Sequence, residues 1–207
     1  MSLRVRLLVF AKAPRPGQAK TRLIPALGAD GAARLAARLL GLTLRAAVQS
    51  GVGAVELCAT PEPGAEAWAG IALPAGVECS DQGPGDLGQR MACAARRTLA
   101  RGEVPVLIGT DCPELAAARI AAAVARLADH DAVIHPAHDG GYVLLGLRDW
   151  CGAVFEDMPW GTETVGAATI ERLRACGARV WVGAALRDLD RPDDLAAYGR
   201  AASFRFE

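Results

Sequence analysis

Residues 5–11 read VRLLVFA, a nearly unbroken apolar run that stops at KAPRPGQAKTR, a loop with four cations and no acid. A strand that is apolar at successive positions, not alternate ones, has to be covered on both faces. That requirement favours a central sheet with helices above and below it. The rest of the chain has the same rhythm. Apolar strand segments at 54–60, 76–80, 104–111, 131–137, 140–147 and 178–183 are separated by stretches with helical periodicity at 30–51, 85–102, 113–130, 161–177 and 190–201. In the first of these, Leu35, Leu39, Leu42 and Ala46 recur at helical spacing and Gly51 supplies a stop. PEPGAEAWAG, after the second strand, is turn-rich with room for one helical turn.

Strands alternating with helices define an α/β fold around a mostly parallel sheet. The rhythm breaks once, between 132 and 147, where two strands meet without a helix, so one strand is expected to run antiparallel in a mixed sheet. No linker, repeat or low-complexity stretch divides the 207 residues, and a single domain over 1–207 is expected. Lys plus Arg equals Asp plus Glu at 23 each, which argues against a non-specific nucleic-acid binder. No apolar run approaches the ~18 residues of a membrane span. The N-terminus lacks a signal-peptide pattern, and a cytoplasmic protein is expected. The six cysteines form no CxxC and no Cys/His metal spacing, and most are expected to be buried thiols.

In open parallel sheets, ligands bind beyond the carboxyl ends of the strands. The loops there are KAPRPGQAKTR, SDQGPGDLG, TDCPE, AHDGG and LDRPDD. The first holds the chain's only two lysines, Lys12 and Lys20, with Arg22 and Gly17. Cations, backbone N–H groups and a nearby helix start suit a phosphate, although the spacing is neither Walker A nor GxGxxG. A solvated basic loop is the plainer alternative.

Asp111 follows a buried strand and suits Mg²⁺ or Mn²⁺ bridging a diphosphate. Asp111 and Glu114 also have capping-box spacing before an apolar-periodic helix, and the two roles are compatible. Asp139, Gly140 and Gly141 read as a tight turn or as a site loop. His138 stands beside them, whereas His135, inside an apolar strand, reads as structural. Trp160 suits a platform for a base or sugar, or burial. Asp86, among three glycines, fits close approach to a ligand or an ordinary loop. The stretch RDLDRPDDL carries Asp188, Asp190, Asp193 and Asp194; one of the last two suits a helix first turn, and Asp190 could meet Asp111 at a metal. No hydrolase triad or GxSxG elbow occurs.

FAKAPRPGQAKTRL, QGPGDLGQRM, IGTDCPEL, PAHDGGYVLLGL, PWGTETV and DLDRPDDL, in that order over residues 4–198, resemble a bacterial family of glycosyltransferase-A-like proteins. Its members are described as radical-SAM/selenodomain-associated transferase 1 or arsenosugar-biosynthesis-type glycosyltransferases. Phospholactate and molybdenum-cofactor guanylyltransferases are more distantly similar. The resemblance implies a Rossmann-like nucleotide-diphospho-sugar transferase fold, with Lys12, Lys20 and Arg22 at the nucleotide phosphates. Asp111 would be the metal aspartate standing where other members have DxD. TDCP has one Asp, so a second ligand must come from elsewhere, and Asp190 is the choice.

Three functions follow as expectations. The first is a metal-dependent glycosyltransferase using a nucleoside diphosphate sugar and a small-molecule acceptor, with Asp139 orienting or deprotonating the acceptor hydroxyl. Asp86, His138, Gly140, Gly141 and Trp160 would form its substrate pocket. The second is a nucleotidyltransferase that takes an NTP and releases pyrophosphate. The third is a non-catalytic nucleotide-binding or scaffold protein.

Overall fold

A computed structural model of the chain describes residues 3–200. Seven described strands form one sheet: β1 (Val5–Lys12), β2 (Gly53–Thr60), β3 (Val77–Asp81), β4 (Val104–Ile108), β5 (Ala132–Pro136), β6 (Tyr142–Leu147) and β7 (Val180–Val182), in the spatial order β3-β2-β1-β4-β6-β5-β7. All neighbouring pairs are parallel except the two made by β6, which runs antiparallel to both β4 and β5. The strand that breaks the α/β rhythm is therefore the reversed one, joined to β5 by the Asp-Gly-Gly turn.

Successive residues of β1 serve opposite cores. Leu7 and Val9 pack with Leu57, Val106 and Ile108 on the face covered by α1 (Ile24–Ser50) and α3 (Ala117–Ala125). Leu8 packs with Met91, Leu107, Leu145 and Leu173 under α2 (Leu87–Ala100) and α4 (Val165–Ala175). This two-sided burial is the physical reason for the unbroken apolar run in β1. A smaller cluster, Leu23, Leu35, Leu39, Leu189 and Tyr198, ties the loop after β1 to α1, to the segment ending at Asp190, and to α5 (Pro192–Arg200). It fixes the distance between two parts of the site that lie ~170 residues apart in sequence.

Several boundaries differ from those the sequence suggests. α1 starts at Ile24 instead of near Asp30. Pro25 opens a short helical segment, and Gly28, with φ 70° and ψ 167°, kinks it before the long apolar-periodic part begins. The helix expected from Pro113 begins at Ala117. Cys112–Leu115 forms a turn instead, and Ala116 is the extended N-cap residue, without a side-chain cap. The capping box expected at Asp111 and Glu114 is therefore absent. Glu114 Oε2 accepts the Arg187 N–H at 3.2 Å, and Asp111 is drawn to Lys20. A capping box does form at α2, where Asp86 Oδ1 accepts the Gln89 N–H and Gln89 Oε1 accepts the Asp86 N–H. In α5 both Asp193 and Asp194 lie in the first turn.

The cysteines also depart from expectation. Cys58 and Cys112 are buried thiols, whereas Cys79 and Cys93 are exposed and Cys151 is disulfide-bonded to Cys176. His135 is buried in β5, with Nδ1 at 2.9 Å from the Ala184 carbonyl, and burial holds its pKa below the ordinary value. The last residue of the helix expected over 190–201 lies outside the described residues.

Candidate active site

A cleft of about 540 Å³ opens beyond the carboxyl ends of β1 and β4 and reaches across to the start of β6. Lys12, Lys20, Asp111, Asp139, Gly141, Trp160 and Asp190 all line it. Each is carried there by a different piece of the α/β frame. Lys12 ends β1, Asp111 follows β4, Asp139 and Gly141 precede β6, Trp160 precedes α4, and Asp190 precedes α5. A backbone hydrogen bond from Leu189 N–H to the Asp111 carbonyl, 2.8 Å, docks the 188–190 segment beside the end of β4. Asp194 Oδ2 then accepts the N–H groups of Asp190 and Arg191, fixing the backbone that presents Asp190.

Lys20 is the centre of the site. Its side chain is 5 % exposed, and Nζ lies 2.6 Å from Asp111 Oδ1, 2.9 Å from Asp190 Oδ1 and 2.7 Å from the Leu189 carbonyl. Its backbone is left-handed, φ 49° and ψ 43°, a conformation costly for a residue with a Cβ. The contacts of the ammonium help hold it there. Lys12, in contrast, is exposed at the cleft and makes no ion pair among the described residues. Arg22 lies at the rim, 62 % exposed, with its guanidinium 3.3 Å from Asp190 Oδ2.

The electrostatics are lopsided. Four carboxylates, Asp111, Asp139, Asp188 and Asp190, line the cleft against two ammonium groups. The protein packed around the cleft pushes Asp111 upward in pKa, although the side chain itself is open to the cleft, while Lys20 pulls it back, and Asp190 and Asp139 add to the rise. Asp188 is raised to about 7, first by burial and then by Asp139 and Asp111. Its Oδ1 is buried without a hydrogen-bond partner. The sequence placed Asp188 in an acidic stretch without assigning it a role. A signal was present, because in an extended segment residues two apart face the same side, which puts Asp188 with Asp190.

Among the other expected pocket residues, Asp139 Oδ1 accepts the Gly141 N–H at 3.0 Å, which sets the carboxylate's orientation. Gly140 lies behind the cleft surface. Its carbonyl accepts the Gly166 N–H at 2.7 Å, and a Cβ on it would come within 2.0 Å of the Glu163 carbonyl oxygen. With φ +91° as well, Gly140→Ala is expected to cost about 1–3 kcal/mol and to displace the 160–164 segment that carries Trp160. Thermal unfolding reads the first effect and ligand titration the second.

Trp160 is half-buried, and its indole Nε1 is 2.7 Å from where a Cβ on Gly88 would stand, so the glycine admits the ring against α2. Besides Gly140, two expected pocket residues lie outside the cleft. Asp86 is committed to capping α2 and does not line the cleft. His138 is exposed outside it, its N–H bonded to the Leu186 carbonyl. Gly17 supplies a positive φ of 75° in the loop without lining the cleft. Asp86→Ala is accordingly expected to cost about 1 kcal/mol of stability and to leave ligand affinity unchanged, checked by parallel denaturation and calorimetric titrations.

Among the described residues no three His, Cys, Asp or Glu side chains converge into a ready-made metal cage. The donor set is nonetheless all carboxylate oxygen, the chemistry of Mg²⁺ and Mn²⁺, and Asp188 holds a buried oxygen with no partner. Ions of this kind are usually held by one or two carboxylates together with substrate phosphates, not by an all-protein cage. The residues present fit such an ion.

The fold is that of the nucleotide-diphospho-sugar transferases, a seven-stranded mixed sheet between helical layers. The chain belongs to the family described as "Uncharacterized protein conserved in bacteria (DUF2064)", whose sequence model matches residues 43–162. A crystal structure described as a candidate nucleotide-diphospho-sugar transferase from Desulfovibrio desulfuricans G20 is 30% identical, with a TM-score of 0.89 over 99% of this chain and 90% of that one. Two more distant structures share the fold. The manganese complex of Rv0371c from Mycobacterium tuberculosis H37Rv has 20% identity and a TM-score of 0.56, covering 95% of this chain and 98% of its own. The 4-diphosphocytidyl-2C-methyl-D-erythritol synthase of Anaerococcus prevotii DSM 20548 has 8% identity and a TM-score of 0.62, covering 99% and 100%. No curated protein sequence matches the chain. Among the described residues no helix is long and apolar enough to cross a membrane.

Proposed function

We propose that the protein is a metal-dependent transferase that moves a glycosyl group from a nucleoside diphosphate sugar to a small-molecule acceptor. The observation that carries this reading is the pairing, in one cleft at the carboxyl end of the sheet, of a lysine-bearing loop with Asp111 and Asp190. Membership in a family with the nucleotide-diphospho-sugar transferase fold supports it. Lys12 and Lys20 would hold the diphosphate oxygens, with Arg22 at the rim. Asp111 and Asp190 would hold Mg²⁺ or Mn²⁺, and the manganese complex of a protein with this fold is in keeping with that choice. Such an ion, when bound, stabilises the charge that develops on the leaving nucleoside diphosphate.

The sugar C1–O bond to the diphosphate breaks and a C1–O bond to the acceptor forms. The acceptor's hydroxyl proton passes to Asp139. The Gly141 N–H holds one oxygen of that carboxylate, which leaves the other for the acceptor.

Nucleotidyl transfer is the second reading. It is supported by the single aspartate in TDCP and by the same fold in the Anaerococcus synthase. In that case the lysines hold a triphosphate, the acceptor oxygen attacks the α-phosphorus, and pyrophosphate leaves. Incubation with panels of NDP-sugars and NTPs, each with Mn²⁺ or Mg²⁺ and a mixed acceptor set, separates them. Release of nucleoside diphosphate supports glycosyl transfer, and pyrophosphate release replaces it with nucleotidyl transfer. Binding without turnover of any donor, unchanged in Asp111→Ala, supports a non-catalytic protein.

A further inference from the structure

Lys20 Nζ lies between Asp111 and Asp190, the two carboxylates proposed above to hold a divalent cation. Its ammonium makes three short contacts, 2.6 Å and 2.9 Å to the two carboxylates and 2.7 Å to the Leu189 carbonyl, all to oxygen. A buried cation satisfied in this way cannot at the same time be offered to a phosphate. An ion brought between the same carboxylates would face an ammonium at contact distance. Nor can the nucleotide enter simply. With Lys20 engaged, Lys12 is the cleft's one ammonium free of an ion pair among the described residues, and a diphosphate would meet it beside Asp139 and the Lys20-paired Asp111 and Asp190.

We infer that Lys20 is a placeholder cation that makes metal and diphosphate binding mutually dependent. The inference rests on the function proposed above. In the free protein Lys20 neutralises Asp111 and Asp190. When a diphosphate arrives, Lys20 swings from the carboxylates to the phosphate oxygens, and the vacated carboxylates take the divalent ion. Either event alone leaves charge uncompensated: the ion alone faces a displaced ammonium, and the diphosphate alone faces bare carboxylates. Together they restore balance. The coupling is reciprocal, so each ligand raises affinity for the other by the same factor.

The lysine's chemistry suits this exchange. It is a compact charge on a flexible stem, able to move between two sets of oxygens, whereas the planar fork of arginine binds best in one geometry. The chain carries only two lysines among 23 Lys plus Arg, and both line this cleft. The left-handed backbone at Lys20 belongs to the same arrangement, because release of the side chain removes contacts that hold it there.

Mn²⁺ titration of the full-length, nucleotide-free protein, followed by electron paramagnetic resonance of the free ion, tests this directly. Lys20→Met is expected to tighten Mn²⁺ binding by roughly tenfold. Lys12→Met removes a charge from the same cleft but no contact to Asp111, and is expected to change it by about threefold or less. Equal effects of the two substitutions, or none from Lys20→Met, overturn the inference.

Crystals of the wild-type protein give a second readout if Lys20→Met does not fold. They are soaked with Mn²⁺ alone and with Mn²⁺ plus inorganic pyrophosphate as the diphosphate probe. Lys20 Nζ is expected to stay on Asp111 and Asp190 in the first soak and to lie on pyrophosphate oxygens in the second. Mn²⁺ bound with Nζ still on both carboxylates contradicts the inference. If NDP-sugars turn over yet Lys20→Met leaves Mn²⁺ affinity unchanged, this inference falls and the transferase reading stands. The reverse pattern, tightened Mn²⁺ binding without turnover of any donor, overturns the transferase reading alone.

Discussion

Asp111→Asn is expected to lower the rate of transfer roughly 10²–10³-fold, the scale for removing one preorganised electrostatic contact to developing charge, with little change in fold. Asparagine keeps the shape of the side chain but gives up the negative charge. Lys20 keeps Asp190 and the Leu189 carbonyl as partners, so the loop stays docked. Loss of the ion pair itself is a small structural cost, because Asp111 is 47 % exposed to the cleft. The expected pattern is thus a collapse in turnover with a nearly unchanged unfolding temperature. Steady-state kinetics on the best donor from the panel, alongside a thermal melt, reads both. A melt that collapses with the rate would make Asp111 a structural residue.

Arg6→Met is expected to do the reverse, costing about 3–5 kcal/mol of stability, the range for breaking a buried ion pair by removing one partner. Arg6 is 7 % exposed within β1. It donates to Glu103 at 2.7 Å, to Glu78 at 2.7 Å and to Glu56 at 3.2 Å. Glu56 is further held by the Ser80 hydroxyl and by Arg97. The hydrogen bond from Arg6 holds Glu103 below its usual pKa. At Glu56 burial pushes the other way but is outweighed by Ser80, Arg97 and Arg6.

The sign of the pH effect follows. Both groups have folded pKa values below the ordinary 4.5, so the wild-type protein has their contribution above that pH and loses it as pH falls through the folded values. In Arg6→Met Glu103 lacks its main partner and Glu56 keeps Ser80 and Arg97 but loses the Arg6 contact, so protonation, of Glu103 above all, relieves the folded state. The variant's deficit is therefore largest near pH 7 and shrinks below about pH 4.5. Urea denaturation at pH 7, 5 and 3.5 measures it. A deficit independent of pH would assign the loss to packing.

Much of the fold was legible in the sequence. Two-sided burial writes itself as unbroken apolar runs, and the missing helix between residues 132 and 147 marked the reversed strand. The strand-end rule brought Lys12, Lys20, Asp111, Asp139 and Asp190 to one end of the sheet without any knowledge of register. What stayed hidden depends on contacts between segments distant in sequence. Asp111 and Glu114 have the same spacing as Asp86 and Gln89, and only the second pair caps a helix, because Cys112–Leu115 turns first and the helix after Asp111 starts only at Ala117.

Arg6 and Glu56 sit within apolar strand runs, and their pairing appears only when β1, β2 and β3 are set side by side. Asp188 reads as one more acid in an acidic stretch until the 188–190 segment docks beside β4. The Cys151–Cys176 bond likewise joins segments that no spacing rule connects.

On the proposed function, this cleft binds a nucleoside diphosphate through its two lysines and a divalent ion. Calorimetric titration of UDP, GDP, CDP and ADP into the protein with Mn²⁺ present tests it most directly, repeated with Lys12→Ala and Lys20→Ala. At least one nucleotide is expected to bind saturably, to require Mn²⁺, and to bind about tenfold or more weakly in each variant, the scale of one charge-assisted hydrogen bond. Binding of the same strength in the wild-type protein and both variants, or no binding of any nucleotide with the ion present, would contradict it.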